Sequence, residues 1–412
     1  MFIDKNELNY IRALFFSIVM MLLPFTIVNL TGKKALLLPL LATSFIILVV
    51  VVLHASFRLN HDIRLEYIMM SLIYLYILSL TVISNIFMEI NIELFDLINV
   101  FAKAITLFLF FSLPKNINLK KETLFKFYQY MIILGIVACI YNMIVNFNSI
   151  LHFFSINSSY ELSLKSFFSN RNQFGSFLFI ELTLIEAYKN KSKNVNIFLY
   201  FCSALFLVNL VLTMSRGAIL ATAVFFIYVF LNQRGKLLLK VLSLALFIYG
   251  TTMVLMSNNS LFMFIRNMII RPESGTTGRS GIWLIGLLVL AENNFIVGLG
   301  LNTALRIAKT KGLLLEQFHS FYIELLLNGG ILELLFTAVV IISVIKYLAV
   351  NNAAKVDKNI IYARLLGFLS LGVFESVSLF SIGYVDVFFS IFIITLPILI
   401  SNSGKSEKSE FN

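Results

Sequence analysis

About 20 residues of helix cross the hydrocarbon core of a bilayer, and apolar runs of that length recur along this chain from residue 11 to residue 401. That feature leaves few ways to fold. Of its 412 residues, 59% are hydrophobic and 13% charged, against roughly 25% charged in soluble proteins. Such a chain cannot cover itself with polar surface, which excludes a soluble globule and predicts an all-α polytopic membrane protein. Crossings are expected at 11–31, 35–54, 65–87, 94–113, 127–148, 172–188, 195–213, 217–232, 241–257, 320–346, 360–378 and 384–401, about twelve transmembrane helices in one domain spanning 1–412. The first follows Lys5 and Arg12 and is not followed by a small-residue cleavage site, so it reads as a retained signal anchor.

Basic residues set the orientation, because short cytoplasmic loops accumulate Lys and Arg. With both termini in the cytoplasm of a plasma-membrane protein, the inner segments hold 20 of the 32 basic residues and the outer segments 11, while Lys103 lies within the fourth span. The net charge of +11 would suggest nucleic acid in a soluble protein; here its distribution assigns it to the membrane surface and its lipids, with no nucleic-acid partner. Cys139 and Cys202 lie far apart in apolar stretches, which is neither a disulfide framework nor a metal-ligand spacing, and they read as small core residues.

The outer segment 258–319 is far longer than the usual connection, which makes it a candidate functional element. Its apolar run Ile282 to Ala291 is too short to span and is expected to form an interfacial or re-entrant helix beneath a lid. A second outer segment, 149–171, is polar and Asn/Ser-rich, and 402–412 reads as a polar cytoplasmic tail.

Three places gather polar groups at the outer ends of helices. In Thr213-Met214-Ser215-Arg216-Gly217 an arginine sits between two apolar spans, either as a snorkelling loop residue or as a functional charge at membrane depth. In Arg271 to Trp283, Ser, Thr and Gly donors beside Arg271 and Arg279 precede a helix start and suit an anion cradle for phosphate. Arg279 and Trp283, four apart, share a helical face; the alternative is a solvated loop feeding an amphipathic helix anchored by this single tryptophan. In His319-Ser320-Phe321-Tyr322-Ile323-Glu324 a histidine opens the tenth span, either as a cap or as a proton shuttle that Glu324 could assist. Lys103 and Glu181 lie deep in their spans, where a lysine pairs with an acid or faces a cavity, and Glu375 and Asp386 read as interfacial.

Together these motifs resemble the O-antigen ligase and O-antigen polymerase superfamily of bacterial membrane glycosyltransferases. Ser215-Arg216-Gly217 resembles that family's Ser-Arg-Gly. Gly278-Arg279, Trp283 and Asn293 to Gly300 resemble its Gly-Arg, Trp and Asn-Pro-x-x-Gly-x-Gly, with Phe295 at the proline position. His319 to Glu324 with Gly329-Gly330-Ile331 resembles its His-Asn-x-Tyr-Leu-Glu and Gly-Ile, with Ser320 at the asparagine position, and Ser169 to Phe174 is similar to its Asn-x-Asn segment. The resemblance implies a GT-C-like fold and an oligosaccharide on undecaprenyl diphosphate as substrate at the extracytoplasmic face. Arg216 and Arg279 would hold the diphosphate, His319 would act on the acceptor hydroxyl with Glu324 behind it, and Arg171, Arg271, Tyr322 and Trp283 would contact substrate. No cofactor and no metal is expected, and the anomeric centre would invert. A polymerase of O-antigen or capsular repeat units, working beside a flippase and a chain-length regulator, is the favoured expectation. The alternatives are a ligase transferring the glycan to a terminal acceptor such as lipid A-core and, in another class, a lipid-linked oligosaccharide flippase.

Overall fold

The computed structural model describes residues 4–60, 65–155, 164–189, 197–232, 249, 250, 252, 253, 256, 278–312, 317–350 and 355–409. Every element among them is helical: α1 Lys5–Thr31, α2 Leu37–Leu59, α3 Leu65–Phe87, α4 Leu94–Leu107, α5 Lys121–Val145, α6 Phe147–Ser155, α7 Arg171–Lys189, α8 Ile197–Thr213 and α9 Arg216–Asn232. There follow α10 Arg279–Glu292, α11 Leu301–Thr310, α12 Phe321–Val350, α13 Lys355–Phe374, α14 Tyr384–Phe389 and α15 Leu396–Ser409. Helix α4 continues through a π turn, Phe108–Ser112, and a 3₁₀ turn, Leu113–Asn116, and α14 joins α15 through a π turn, Ser390–Thr395.

Seven of the described helical stretches are long and apolar enough to cross a membrane: Lys5–Asn29, Leu37–Leu59, Ile68–Phe87, Leu94–Asn116, Lys121–Val145, Phe321–Val350 and Tyr384–Ser403. Other predicted crossings fall short of that standard. Helices α8 and α9 are each 17 residues long, and α7 and α13 carry buried polar groups such as Glu181 and Arg364. The crossing predicted at 241–257 lies largely outside the described residues, as do 258–277 with Arg271. The span predicted to 378 ends as helix at Phe374.

Two segments read as polar are helical in part. Part of the polar segment 149–171 belongs to α6, and the supposed tail begins inside α15. Asn402 is buried there because its amide donates to the carbonyls of Pro114, Lys115 and Ile117 and its oxygen accepts the Tyr347 hydroxyl. Three backbone carbonyls in and just beyond the 3₁₀ turn thereby gain a donor, which a polar residue supplies and an apolar one does not.

The segment read as a long lid loop contains α10 and α11 in its described part. Helix α10 covers the predicted apolar run and buries Ile282, Gly286, Val289 and Leu290 against α11 and α12, leaving Leu284, Leu287 and Leu288 exposed on its other side. Asp96, at the start of α4, caps α11: its carboxylate accepts from the backbone amides of Asn302 and Thr303 at 2.9 and 2.7 Å and from both of their side chains.

The connection between α10 and α11 docks into a break in α12. At Gly329 and Gly330 the helix leaves α geometry, with Gly330 at φ +67°, and frees backbone groups on both sides of the break. The loop takes them up: Leu299 and Gly300 donate to the carbonyls of Leu327 and Asn328 at 2.8 and 2.9 Å, while Ile331 and Leu332 donate to those of Phe295 and Ile296 at 3.1 and 3.2 Å. The backbones approach so closely that a Cβ on Gly330 would lie 2.2 Å from the Ile296 carbonyl oxygen, and one on Gly298 would lie 2.5 Å from the Gly330 nitrogen. Only glycine fits such a crossing. Below it, the fully buried Glu333 accepts from Lys103 at 2.6 Å, Tyr74 at 2.8 Å and Asn328 at 2.6 Å, so the deep lysine is paired and the break is braced.

Gly330→Ala should therefore cost the protein on the order of 3 kcal/mol or more, the combined effect of positive φ and overlap with a backbone that has no room to move. Thermal denaturation in detergent would register it as a large fall in the midpoint, whereas Gly250→Ala, where an added Cβ meets nothing within 4 Å, should leave the midpoint nearly unchanged.

Candidate functional site

Four helix ends meet at one end of the bundle, and each is set by local sequence. Asn170 caps α7 by accepting from the Gln173 amide at 2.9 Å, which places Arg171, Asn172 and Gln173 in the first turn. Between α8 and α9, Met214 adopts φ +52° and the Ser215 amide donates to Thr213 Oγ1, so that α9 starts at Arg216. Gly278 at φ +74° starts α10 at Arg279. His319, at φ +53°, precedes α12. A non-glycine residue held in that region is strained, and such strain concentrates at functional sites.

Glu375, one residue beyond α13, ties these ends together. Its carboxylate accepts from Arg279 Nη2 at 3.2 Å and from the Asn172 side chain, and it feels the charge of Arg171. It also packs on α9, since a Cβ on Gly217 would lie 3.1 to 3.2 Å from its Cγ and Oε1. Alanine at position 217 would crowd the carboxylate, and alanine at position 175 would crowd α9 itself, since Ser215 and Ala218 lie within 3.0 Å of an added Cβ. Glu375 is 5% exposed, so the expectation that it is merely interfacial is corrected: it is the shared anion of three motifs. Burial pushes its carboxyl up to about 7, against the opposing pull of Arg279, Asn172 and Arg171.

The His319 loop is held from both sides. The His319 amide donates to Ser376 Oγ at 3.0 Å, Ser376 Oγ donates to Glu324 Oε1, and the same oxygen accepts the Phe318 amide at 3.1 Å. Glu324 thus orients the loop from within α12. From α10, Trp283 Nε1 donates to the Phe318 carbonyl at 3.0 Å and its ring lies 6.2 Å from that of Phe374, so the tryptophan positions this loop in addition to any contact with lipid. The Tyr322 hydroxyl donates to the Leu369 carbonyl at 2.9 Å, which gives it a role in packing α12 on α13. The imidazole itself is half-buried, and its Nδ1 is enclosed without a hydrogen-bond partner among the described residues. Burial first, and the Arg279 charge second, lower the His319 pKa, so the ring is neutral at pH 7 and able to accept a proton.

Behind Ser376 and Glu324 lies a cavity of about 270 Å³ whose wall also includes Gln173, Gln317, Lys103 and Asp386. Asp386 was read as interfacial; it instead accepts the Ser378 amide at 2.9 Å and faces this cavity. Among the described residues no group of three His, Cys, Asp or Glu side chains is arranged to hold a metal ion.

The sequence model of the O-antigen ligase family matches residues 201–338. Over that segment the chain is similar to the O-antigen ligase and polymerase superfamily. A search of curated proteins finds no match. Within the O-antigen ligase segment lie Arg216, Arg279, Trp283, His319 and Glu324; Arg171 precedes it, and Glu375 and Ser376, which join the motifs in space, follow it. The superfamily is one of membrane-bound, glycosyltransferase-like enzymes acting in polysaccharide biosynthesis. Sequence reasoning named the motifs within this segment but read Glu375 as interfacial and passed over Ser376. The one available signal was a pair of polar residues, Glu375-Ser376, closing an apolar run.

Removing the cation should release His319. In Arg279→Gln the imidazole pKa should rise toward the ordinary 6.5, because one of its two depressing causes is gone. Histidine NMR titration of the labelled protein measures this directly, and an unchanged or lower value would contradict the electrostatic coupling.

Proposed function

We propose that this protein transfers a glycan from undecaprenyl diphosphate to a sugar hydroxyl at the outer face of the plasma membrane, as a polymerase of O-antigen or capsular repeat units. The observation that carries the reading is the convergence of Arg171, Arg279 and the amino-terminal end of α9 on one buried carboxylate, a few residues from His319. That cluster is a preorganised anion site, and a departing diphosphate needs one: donors aimed at developing charge require no reorganisation when the bond breaks. Arg279 gives one nitrogen to Glu375, and a guanidinium has five N–H donors, so the others remain to grip phosphate oxygens.

In this reading the acceptor oxygen attacks the anomeric carbon from the face opposite the diphosphate. The bond from that carbon to the phosphate oxygen breaks, the hydroxyl proton passes to the neutral imidazole of His319, and undecaprenyl diphosphate leaves with the electron pair, its charge held by Arg279 and Arg216. The configuration inverts and the charge is handled by arginine. Glu324 keeps the histidine loop in place, Arg171 supports the anion site, Trp283 contacts substrate beside it, and Arg271, outside the described residues, would contact substrate as well. A GT-C-like bundle of about twelve helices, both termini cytoplasmic, would present this end outward beneath the segment 258–319, next to a flippase that delivers donor and a regulator of chain length.

The description of the matching family favours a second reading, ligation of the finished glycan to a terminal acceptor such as lipid A-core. The two share the chemistry and differ in the acceptor. Purified protein in liposomes, given undecaprenyl diphosphate-linked repeat units and no other acceptor, should build a ladder of lengthening glycans. Arg279→Ala and His319→Ala should each lower the rate by about 10²-fold or more, the usual worth of a charge-stabilising donor or a general base, and EDTA should not. Transfer seen only when lipid A-core is added would make it a ligase, and movement of labelled substrate across the bilayer without glycosyl transfer would replace both readings with transport.

A further inference from the structure

The cavity behind the histidine loop is not needed to hold the diphosphate, and its chemistry rules that role out. Glu324 and Asp386 stand on its wall, and its one cation among the described residues, Lys103, is neutralised by Glu333 at 2.6 Å. An anion placed there would meet two acid side chains and, among the described residues, no cation without a carboxylate partner, so it would be left out of water with no counter-charge. The remaining polar wall is of another kind. Asn99, Gln173, Asn302, Ser378 and Ser381 bring carboxamides and hydroxyls, groups that both donate and accept, around a space of about 270 Å³. That volume is just below the ~300–1,000 Å³ of ordinary small-molecule sites, and so suits a single ring rather than a lipid tail or a long glycan.

Its position gives it a purpose. Ser376 lines the cavity and also accepts the His319 amide, so a ring seated there lies one residue's width from the imidazole loop. The wall is preorganised by its own bonds: Asp386 is fixed by the Ser378 amide, and the Ser381 hydroxyl donates to Asn99 Oδ1 at 3.1 Å. Asn302 is held by Asp96 in the cap of α11. We propose that this cavity is the acceptor subsite, binding one uncharged sugar ring at the end of the receiving glycan and rejecting a hexuronic acid. The inference rests on the glycosyl-transfer reading above and adds to it the class of sugar that is accepted.

The test has two arms, both on the full-length protein in detergent or liposomes. Saturation-transfer NMR with free N-acetylglucosamine and free glucuronic acid should show binding of the first and not the second, and Leu305→Trp, which fills the cavity from α11, should abolish it while the protein still melts cooperatively. In the transfer assay, with acceptors ending in either sugar, Asn99→Ala and Asp386→Asn should each raise the acceptor KM about tenfold, the loss of one hydrogen bond, with kcat changed far less. Equal binding of glucuronic acid, binding that survives Leu305→Trp, or an unaltered acceptor KM in both variants would overturn the subsite. Selective sugar binding by a protein that transfers no glycan to any acceptor would instead refute the transfer reading and with it the acceptor role, leaving the cavity a sugar-binding site only.

Discussion

A helix that breaks inside an apolar bundle must find partners for the backbone groups it releases, because lipid and hydrocarbon side chains offer none. The break in α12 at Gly329 and Gly330 is satisfied by the loop 295–300, and most of the architecture around the site follows from that exchange. The loop fixes where α10 ends and α11 begins. Helix α10 in turn presents Arg279 and Trp283 at its other end. The amino-terminal half of α12 carries Glu324 and, just before it, His319. Two glycines that cross backbone to backbone thus set the spacing between the cation and the histidine, although neither glycine is near either side chain. Glu333, with Lys103, Tyr74 and Asn328 on its two oxygens, holds the same break from within the bundle.

The second organising constraint is charge. Positive groups at the starts of α7, α9 and α10 would repel one another if brought together alone. The buried Glu375 carboxylate lets them assemble. Its neighbour Ser376 hands the constraint on to the histidine loop through Glu324. One dipeptide at the end of α13 therefore couples the cluster that suits a leaving diphosphate to the residue suited to take a proton. In the proposed reading, the cavity beside Ser376 gives the anionic and uncharged parts of a lipid-linked glycan separate places.

Much of this was legible in the chain. Apolar runs located the helices, because burial in lipid imposes a run length that no loop needs. The starts of α7, α9, α10 and α12 were marked by Asn170, Arg216-Gly217, Gly278-Arg279 and His319-Ser320, whose residue types are demanded by the ends of helices. That Arg279 and Trp283, four residues apart, share a helix was legible for the same reason. Less legible were the polar residues inside helices. Nothing in the spacing of Lys103 and Glu333, 230 residues apart, says that they meet. Asn402 read as tail because a buried amide that satisfies loop carbonyls looks, in one dimension, like any surface asparagine.

The sequence by itself determined that this protein is helical, that it belongs with lipid, and that a handful of arginines, a histidine and paired glycines interrupt its apolar runs where chemistry could occur. These are local properties, set by burial and backbone geometry over a few turns. Only the tertiary structure decided that Glu375 is the common partner of Arg279 and Arg171, that Gly298 and Gly330 exist for each other, and that Asp386 and Lys103 face a polar cavity. Those depend on contacts between residues far apart in the chain, and a charge or a glycine carries no mark of its distant partner until packing brings the two together.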